Sequence, residues 1–262
     1  MNLKEGEKVS ESIVAEGSSP SNLEYHLDKI PCNETIGIAV FVDDVREVGG
    51  CNLSDFAREA YDFLYRPTFL SESELGLLIR VVHTICYQHR LQKRKTGEDV
   101  KEHPRATYRT ILDLGVKDVN ILAAALLHDA IEDCYPKITI WKILRWFGPR
   151  IAVMVYGMTR SKSWLVPHRW KVAVITLFEP YLPVIKLADC KHNLLTLWGG
   201  EVEWQIKWLK KLLGVTIEEL NSASKILVSH YPEVMPDFIR LHDEVTAKAS
   251  EELLRARAEL AN

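Results

Sequence analysis

Cysteine is scarce in this chain, and the sequence has neither a long apolar run nor a strong excess of one charge. The five cysteines are scattered and odd in number, which argues against a disulfide framework or a zinc knuckle and favours a reducing compartment. No apolar run reaches the roughly 20 residues that cross a membrane, and no secretory signal pattern is visible. We therefore expect a cytoplasmic protein that has no membrane partner.

The charges are nearly balanced. The 33 Lys and Arg residues and 36 Asp and Glu residues leave a formal net charge of −3, and no basic tract stands out, so we expect no nucleic-acid partner. A length of 262 residues, of which 47% are apolar and 26% charged, is ordinary for a globular protein with one substantial core. An anionic ligand must therefore be bound by charges local to a pocket. The composition leaves the oligomeric state open.

Helix signals dominate from residue 71 onward. Ser71 and Glu74 have the spacing of a capping box. Pro104 suits the first turn of one helix, and Pro183 suits the start of another. The pattern predicts an all-α domain, a helical bundle, over residues 71–262.

Three further caps set the predicted helix bounds. Asp118 is expected to cap a helix that runs to about Glu132, and Thr139 is expected to cap the next one. Thr216 and Glu219 form a second capping-box pattern.

Residues 1–70 have a different character. Their first part is polar and includes Gly-Ser-Ser-Pro-Ser at 17–21, a composition typical of disorder. An apolar, β-rich run at 36–42 is a candidate short strand. We predict a short, non-helical N-terminal extension that is partly disordered.

The most informative stretch is residues 124–133, where an apolar run ends in a group of polar side chains. His128 and Asp129 are followed one turn later by Glu132 and Asp133. On a continuous helix these four share one face. Such a group needs a cation to neutralise it in apolar surroundings. The His-Asp pair suits a divalent metal ion, and the two acids suit proton transfer.

Matching residues occur on both sides of this stretch. His103 precedes Pro104 upstream, while Asp189 and Asn193 stand four residues apart in an apolar run downstream. An isolated His-Asp pair lies most often at the surface, but two His and two Asp from three helices form a mixed nitrogen and oxygen site. The predicted ligands of one metal ion are His103, His128, Asp129 and Asp189. The set is compatible with manganese, and equally with iron, cobalt or zinc.

The order of these motifs resembles that of the HD-domain phosphohydrolases, in particular the RelA/SpoT-type guanosine tetraphosphate (ppGpp) hydrolases. The resemblance covers roughly residues 74–230. It rests on the segments Arg94-Lys95-Thr-Gly-Glu98, His103-Pro104, Leu114-Gly115, His128-Asp129, Glu132-Asp133, Phe147-Gly148, Gly157-Met-Thr159 and Leu187-Ala-Asp189-x-x-His-Asn193. The combined motif is specific, whereas a His-Asp pair alone is not.

The resemblance implies an HD-domain helical bundle that hydrolyses an alarmone of the stringent response. The implied reaction removes the 3′-diphosphate of ppGpp or a similar nucleotide and yields GDP or GTP and pyrophosphate. Manganese is the metal implied. Glu132 and Asp133 are implied as the catalytic pair, one acting on the attacking water and the other passing on a proton.

The resemblance also implies the substrate-binding residues Arg94, Lys95, Lys162 and Asn193. Arg94 and Lys95 would frame the purine base, the Arg by stacking. Lys162 would neutralise phosphate. Asn193 would bind ribose or phosphate, or only hold Asp189.

Two departures from the family pattern bear on the substrate. Cys190 stands where the family usually has Arg, and residues 163–178 are far more apolar than the matching polar helix. Two alternatives therefore stay open. One is a phosphohydrolase of another nucleotide, such as the 2′-phosphate of NADPH, an adenine alarmone or a nucleoside monophosphate. The other is a nucleotide sensor without turnover, against which the retained acids argue.

Overall fold

The computed structural model describes residues 60–89, 92–160 and 167–261. Within these ranges the chain is all-α, as predicted, and it forms no strand beyond an isolated bridge between Lys93 and Asp99. The helices with both ends described are α1 (Glu72–His89), α2 (Glu102–Asp113), α3 (Val119–Leu127), α4 (Ala130–Cys134), α5 (Ile140–Phe147), α6 (Pro149–Met158), α7 (His168–Thr176), α8 (Leu182–Leu195), α9 (Val202–Lys211), α10 (Ile217–His230) and α11 (Met235–Ala261).

Two helices, α3 and α8, form the centre of the bundle. Seven consecutive residues of α3, from Ile121 to Leu127, are buried, because a helix that is apolar on every side is stable only when neighbours cover every side. Helices α1, α2 and α6 provide that cover, and α8 packs on α2, α7 and α11. Since α2 contacts both central helices, its residue His103 lies beside the end of α3 and the middle of α8.

Three predicted caps are present. The Ser71 N–H donates to Glu74 Oε2 at 2.9 Å, the reciprocal bond of a capping box. The Asp118 side chain accepts a hydrogen bond from the Asn120 N–H at the start of α3. The Thr139 side chain likewise accepts from the Lys142 N–H at the start of α5. Local sequence was sufficient here because each cap bonds to the first turn of its own helix.

The prediction of one helix running to Glu132 is wrong. Helix α3 ends at Leu127, and the short helix α4 begins only at Ala130. Asp129 has a ψ of −2°, far from the helical value of about −42°, so the helical path opens at the motif. The acids of α4 therefore leave the face predicted for a continuous helix.

The second capping-box prediction, at Thr216, is also wrong. A π-helical turn (Leu212–Thr216) joins α9 to α10 without a break. The N–H groups that a cap would satisfy are already bonded within the continuous helix. The Thr216 hydroxyl instead accepts a hydrogen bond from Arg160 Nη2 at 3.0 Å.

The N-terminal extension is helical at residues 60–63, where a non-helical segment was predicted. Ala60 and Leu64 are buried in the core, and the Tyr108 hydroxyl donates to the Leu64 carbonyl at 3.1 Å. This packing stabilises the turn. The candidate strand at 36–42 lies outside the described residues, and the domain boundary near 71 stays a prediction. None of the described helices combines the length and apolarity that crossing a membrane requires.

Candidate active site

The four predicted metal ligands come together at the junction of α2, α3 and α8. Their ligand atoms all lie within 4.8 Å of one another. The Nε2 atoms of His103 and His128 are 3.1 Å apart. Asp129 Oδ2 lies 3.0 Å from His128 Nε2, and Asp189 Oδ1 lies 3.0 Å from His103 Nε2. Two imidazole nitrogens and two carboxylate oxygens thus converge on one point, a group that is able to hold a metal ion.

Neighbouring bonds orient both imidazoles. His128 Nδ1 lies 2.8 Å from the Ala125 carbonyl, and because a carbonyl only accepts, this nitrogen carries the proton. The lone pair of neutral His128 is then on Nε2, toward the cluster. His103 Nδ1 lies 2.8 Å from His192 Nδ1. Burial and the nearby His103 lower the pKa of His192 to about 4, so His192 stays neutral at physiological pH and one of its ring nitrogens can accept.

Asp189 is the most extensively bonded ligand. Its Oδ2 accepts from Lys186 Nζ at 2.7 Å, and its Oδ1 accepts from Asn193 Nδ2 at 2.6 Å. Burial opposes ionisation of this carboxyl, but Lys186 outweighs that effect and lowers the pKa of Asp189 well below its usual range. The carboxylate is therefore ionised and held in a fixed orientation.

The cluster suits a divalent cation. Burial disfavours a charged His128, yet the carboxylates of Asp129 and Asp189 raise the pKa of His128 well above its ordinary value. In the absence of a cation, a proton on an imidazole would have to compensate these carboxylates. A metal ion provides the same compensation and accepts both nitrogen and oxygen ligands.

The two predicted catalytic acids lie on α4, at the exposed side of the cluster. The Glu132 carboxylate accepts a hydrogen bond from the Arg160 backbone N–H, which fixes one of its oxygens. The Asp133 N–H donates to the Asp129 carbonyl at 2.9 Å. Partial removal of its carboxyl from water is the largest effect that raises the pKa of Asp133, and the negative charge of Asp129 is the second. Asp133 therefore holds a proton more readily than an ordinary aspartate.

A cavity of about 350 Å³ lies beside the cluster. Three of the four predicted substrate-binding residues line it: Arg94, Lys95 and Asn193. Arg94 Nη2 donates to Asn193 Oδ1 at 2.8 Å and to Thr196 Oγ1 at 3.1 Å. The fourth predicted residue, Lys162, lies outside the described residues.

Two tryptophans, Trp204 and Trp208, complete the wall of this large cavity. Lys95 Nζ lies 4.1 Å from the centroid of the Trp204 ring, a cation–π contact. The loop that carries Lys95 and Thr96 approaches Gly199 closely because glycine has no side chain. A Cβ at Gly199 would lie 2.9 Å from the Thr96 backbone nitrogen, which excludes any larger residue without a shift of the loop.

A second cavity, of about 110 Å³, adjoins the metal cluster. Three cations line it: Arg160, Lys186 and Lys211. Asp189 lines it as well, and Asn193 and Trp208 are shared with the large cavity. A small, positively charged space beside Asp189 therefore neighbours a larger space with aromatic walls.

Sequence reasoning missed several of these residues. Lys186 had a local signal, because it stands three residues before Asp189 on the same helix. Arg160 follows the Gly-Met-Thr motif directly, whereas the prediction chose Lys162. Lys211 carries no local signal. Cys190, the departure from the family pattern, lines the small cavity as a buried thiol, and burial raises its pKa to about 12.

Comparison with known proteins agrees with this architecture. The HD domain family matches residues 82–171, which include His103, His128 and Asp129. Mouse "Guanosine-3′,5′-bis(diphosphate) 3′-pyrophosphohydrolase MESH1" is 30% identical over 172 residues, which are 59% of this chain and 94% of the mouse protein. This chain belongs to the family of HD-domain guanosine-3′,5′-bis(diphosphate) 3′-pyrophosphohydrolases. The stretch matched to the HD domain thus contains three of the four cluster residues, and Asp189 lies beyond it.

Other proteins that resemble this chain are much longer than it. The protein named "Guanosine-3′,5′-bis(diphosphate) 3′-pyrophosphohydrolase" from Aquifex aeolicus is 34% identical over 133 residues, which are 49% of this chain and 19% of that protein. The chain thus spans about a fifth of such relatives. A solved structure titled "A metazoan ortholog of SpoT hydrolyzes ppGpp and plays a role in starvation responses" overlaps 63% of this chain and 99% of its own at 22% identity and a TM-score of 0.45.

Proposed function

We propose that this protein hydrolyses the 3′-diphosphate of ppGpp or a similar alarmone and releases pyrophosphate with GDP or GTP. One observation carries the proposal. Asp189 of the metal cluster lines a small cation-lined cavity, which shares Asn193 and Trp208 with a large aromatic cavity. A purine in the large cavity and a 3′-diphosphate in the small one would leave the phosphorus that is bonded to the ribose 3′-oxygen near Asp189. The membership in the family named above supports the same reaction.

His103, His128, Asp129 and Asp189 would hold one divalent ion, which we propose to be Mn²⁺ from the resemblance to the ppGpp hydrolases, since the mixed imidazole and carboxylate ligands are compatible with it. When bound, such an ion offsets negative charge at phosphorus and lowers the pKa of a water molecule. The protein's own contribution is orientation. Ala125, through its carbonyl, and Lys186 hold His128 and Asp189 in place before any ligand arrives.

The large cavity would bind the nucleoside. Trp204 offers an aromatic face for a purine, and Arg94 offers a planar guanidinium that stacks in the same manner. Lys95 adds positive charge beside the ring. Asn193 faces both cavities and suits the ribose or an adjoining phosphate oxygen.

Arg160, Lys186 and Lys211 would bind the diphosphate next to Asp189, since charge-assisted bonds to phosphate are the strong ones. This trio supplies positive charge around Cys190, where the family usually has Arg. The departure at residue 190 therefore leaves the cavity cationic.

Glu132 and Asp133 would manage the protons. In hydrolysis the oxygen of water bonds to phosphorus, the bond between phosphorus and the ribose 3′-oxygen breaks, and the 3′-oxygen gains a proton. Glu132, fixed by the Arg160 N–H, would orient the water and take its proton. Asp133, whose pKa is raised, would pass a proton onward.

The decisive test is product analysis after incubation of the purified protein with ppGpp and Mn²⁺, with a chelator control. GDP and pyrophosphate that appear only with metal would support the proposal. Conversion of NADPH to NADH without turnover of ppGpp would contradict it and favour the 2′-phosphate alternative. Nucleotide binding without any turnover would favour a sensor. The buried thiols of Cys134 and Cys190, which form no disulfide, agree with the cytoplasmic location that we propose.

A further inference from the structure

The π-helical turn Leu212–Thr216 changes which side chains share a face of the α9–α10 helix. The Ile217 N–H donates to the Leu212 carbonyl, five residues back, where an α-helix would bond four residues back. On an α-helix, positions 211 and 216 would point about 140° apart. Here Lys211 and Thr216 line the same small cavity, together with Leu212. The extra residue in the turn therefore brings Lys211 toward the metal cluster.

Two cations then face each other across this cavity. The Arg160 guanidinium is the largest cause that lowers the pKa of Lys211. Arg160 donates to the neutral Thr216 hydroxyl. No acid lies within salt-bridge distance of the Arg160 or Lys211 side chain in the described part of the chain. Lys186, by contrast, has Asp189. Glu132 and Glu219 act on Lys211 only as nearby charges. A pair of like charges held together without a direct ion-pair partner has the arrangement expected of an anion site.

We propose that the π-helical turn presents Lys211, with Arg160, as the pair that binds the departing diphosphate. The proposal rests on the proposed function for the identity of the anion. Lys211 is thereby a substrate-binding residue outside the stretch matched to the HD domain, which ends at residue 171. π-helical turns are rare and recur at functional sites, and this one has a specific effect, the direction of one lysine.

A matched pair of variants tests the role of Lys211. Lys210 is adjacent, is equally a surface lysine on α9 and does not line the cavity. Inorganic pyrophosphate is titrated by calorimetry into protein that has been loaded with Mn²⁺ and freed of excess metal. We expect Lys211→Gln to weaken pyrophosphate binding about tenfold, as for loss of one charged hydrogen bond, and Lys210→Gln to leave it unchanged. Lys211→Arg should restore most of the affinity.

The two proposals fail separately. Equal affinities of Lys211→Gln and Lys210→Gln for pyrophosphate would overturn the role of Lys211, even if ppGpp is hydrolysed. A Lys211-dependent affinity in a protein that leaves ppGpp intact would overturn the proposed substrate and retain the anion site.

The role of the turn itself is tested by deletion of Gly214, which is exposed and has no atom near its missing Cβ. Deletion removes the extra residue and should turn Lys211 away from the cavity. We expect the same tenfold loss of pyrophosphate affinity, with Mn²⁺ content and the circular dichroism spectrum retained. Wild-type affinity in a folded deletion variant would overturn the role of the turn. If the deletion variant does not fold, the comparison of Lys211→Gln with Lys210→Gln still decides whether Lys211 binds pyrophosphate.

Discussion

The metal cluster and the large cavity are neighbours but are built differently. Three of the four cluster residues are buried and the fourth, Asp129, is half-buried, and bonds to neighbouring groups hold His128 and Asp189 in place. The cavity is walled by a loop at 92–97 and by α9, which lie more than 100 residues apart in sequence. The difference separates chemistry from selectivity. We expect the centre to perform the proposed reaction and the wall of the large cavity to select the nucleotide.

The largest expected effect concerns the cluster. Asp129→Ala removes one of two carboxylates that compensate a metal ion, so we expect loss of bound Mn²⁺ and of all measurable hydrolysis. Metal content by mass spectrometry and product formation are the two measurements. Asp243→Ala, at an exposed position on α11, is the control and should retain both. Turnover by Asp129→Ala would refute the assignment of the centre.

A smaller effect separates catalysis from metal binding. Glu132→Gln keeps the bond to the Arg160 N–H, because an amide oxygen also accepts, but it removes the base. We expect kcat to fall about a hundredfold with Mn²⁺ content unchanged. Loss of metal along with activity would instead identify Glu132 as a ligand.

We expect substitutions in the wall of the large cavity to weaken substrate binding without slowing the chemical step. Trp204→Ala removes the aromatic face, and stacking of one base contributes about 1–3 kcal/mol. We expect the KM for ppGpp to rise about tenfold or more while kcat changes little. Trp198, which is exposed and lies outside the cavity lining, provides the control variant Trp198→Ala. A fall in kcat without a change in KM would show that wall and centre are not separable.

The smallest effect concerns the support of Glu132 beside the cluster. The buried Lys171 donates to the Thr159 carbonyl, and the same peptide group donates its N–H to Glu132. Lys171 therefore positions Glu132 through one peptide unit. We expect Lys171→Met to lower kcat severalfold with unchanged Mn²⁺ content. Unchanged kcat would mean that the peptide is held by its helix alone.

The stability of Lys171→Met relative to the wild-type protein should depend on pH. Burial lowers the pKa of Lys171 to about 8, from an ordinary value near 10.5. The charged form thus destabilises the native state at pH 7, and this cost disappears as the pH rises through 8 toward 10.5. We expect Lys171→Met to have the higher Tm at pH 7 and the difference to narrow by pH 9. Thermal melts at both pH values provide the measurement.

The metal cluster and the large cavity also differ in how much of each could be predicted from the sequence. The ligand positions His103, His128, Asp129 and Asp189 were predicted from motifs whose order resembles that of the HD-domain phosphohydrolases, and the structure brings them together. The caps at Ser71, Asp118 and Thr139 were predicted because each bonds to the first turn of its own helix. Their role as metal ligands remains a prediction.

Features that depend on distant packing were missed. The break at Asp129 and the π-helical turn before Ile217 have no local sequence signal strong enough to identify them. Lys211 and Trp204 reach the site only through the packing of α9 on the rest of the bundle. Convergence of residues from different helices is a property of the whole fold, and a single sequence does not encode it in any short motif.

Asn193 belongs to both regions at once. Its amide oxygen accepts from Arg94 at the nucleoside end, and its amide nitrogen donates to Asp189 at the metal end. A nucleotide that draws Arg94 away would alter how firmly Asp189 is held, and thermodynamic linkage requires the reverse influence to be equal in free energy. Whatever factor the nucleotide applies to metal affinity, the metal applies to nucleotide affinity. One side chain thus couples the occupancy of one site to the occupancy of the other.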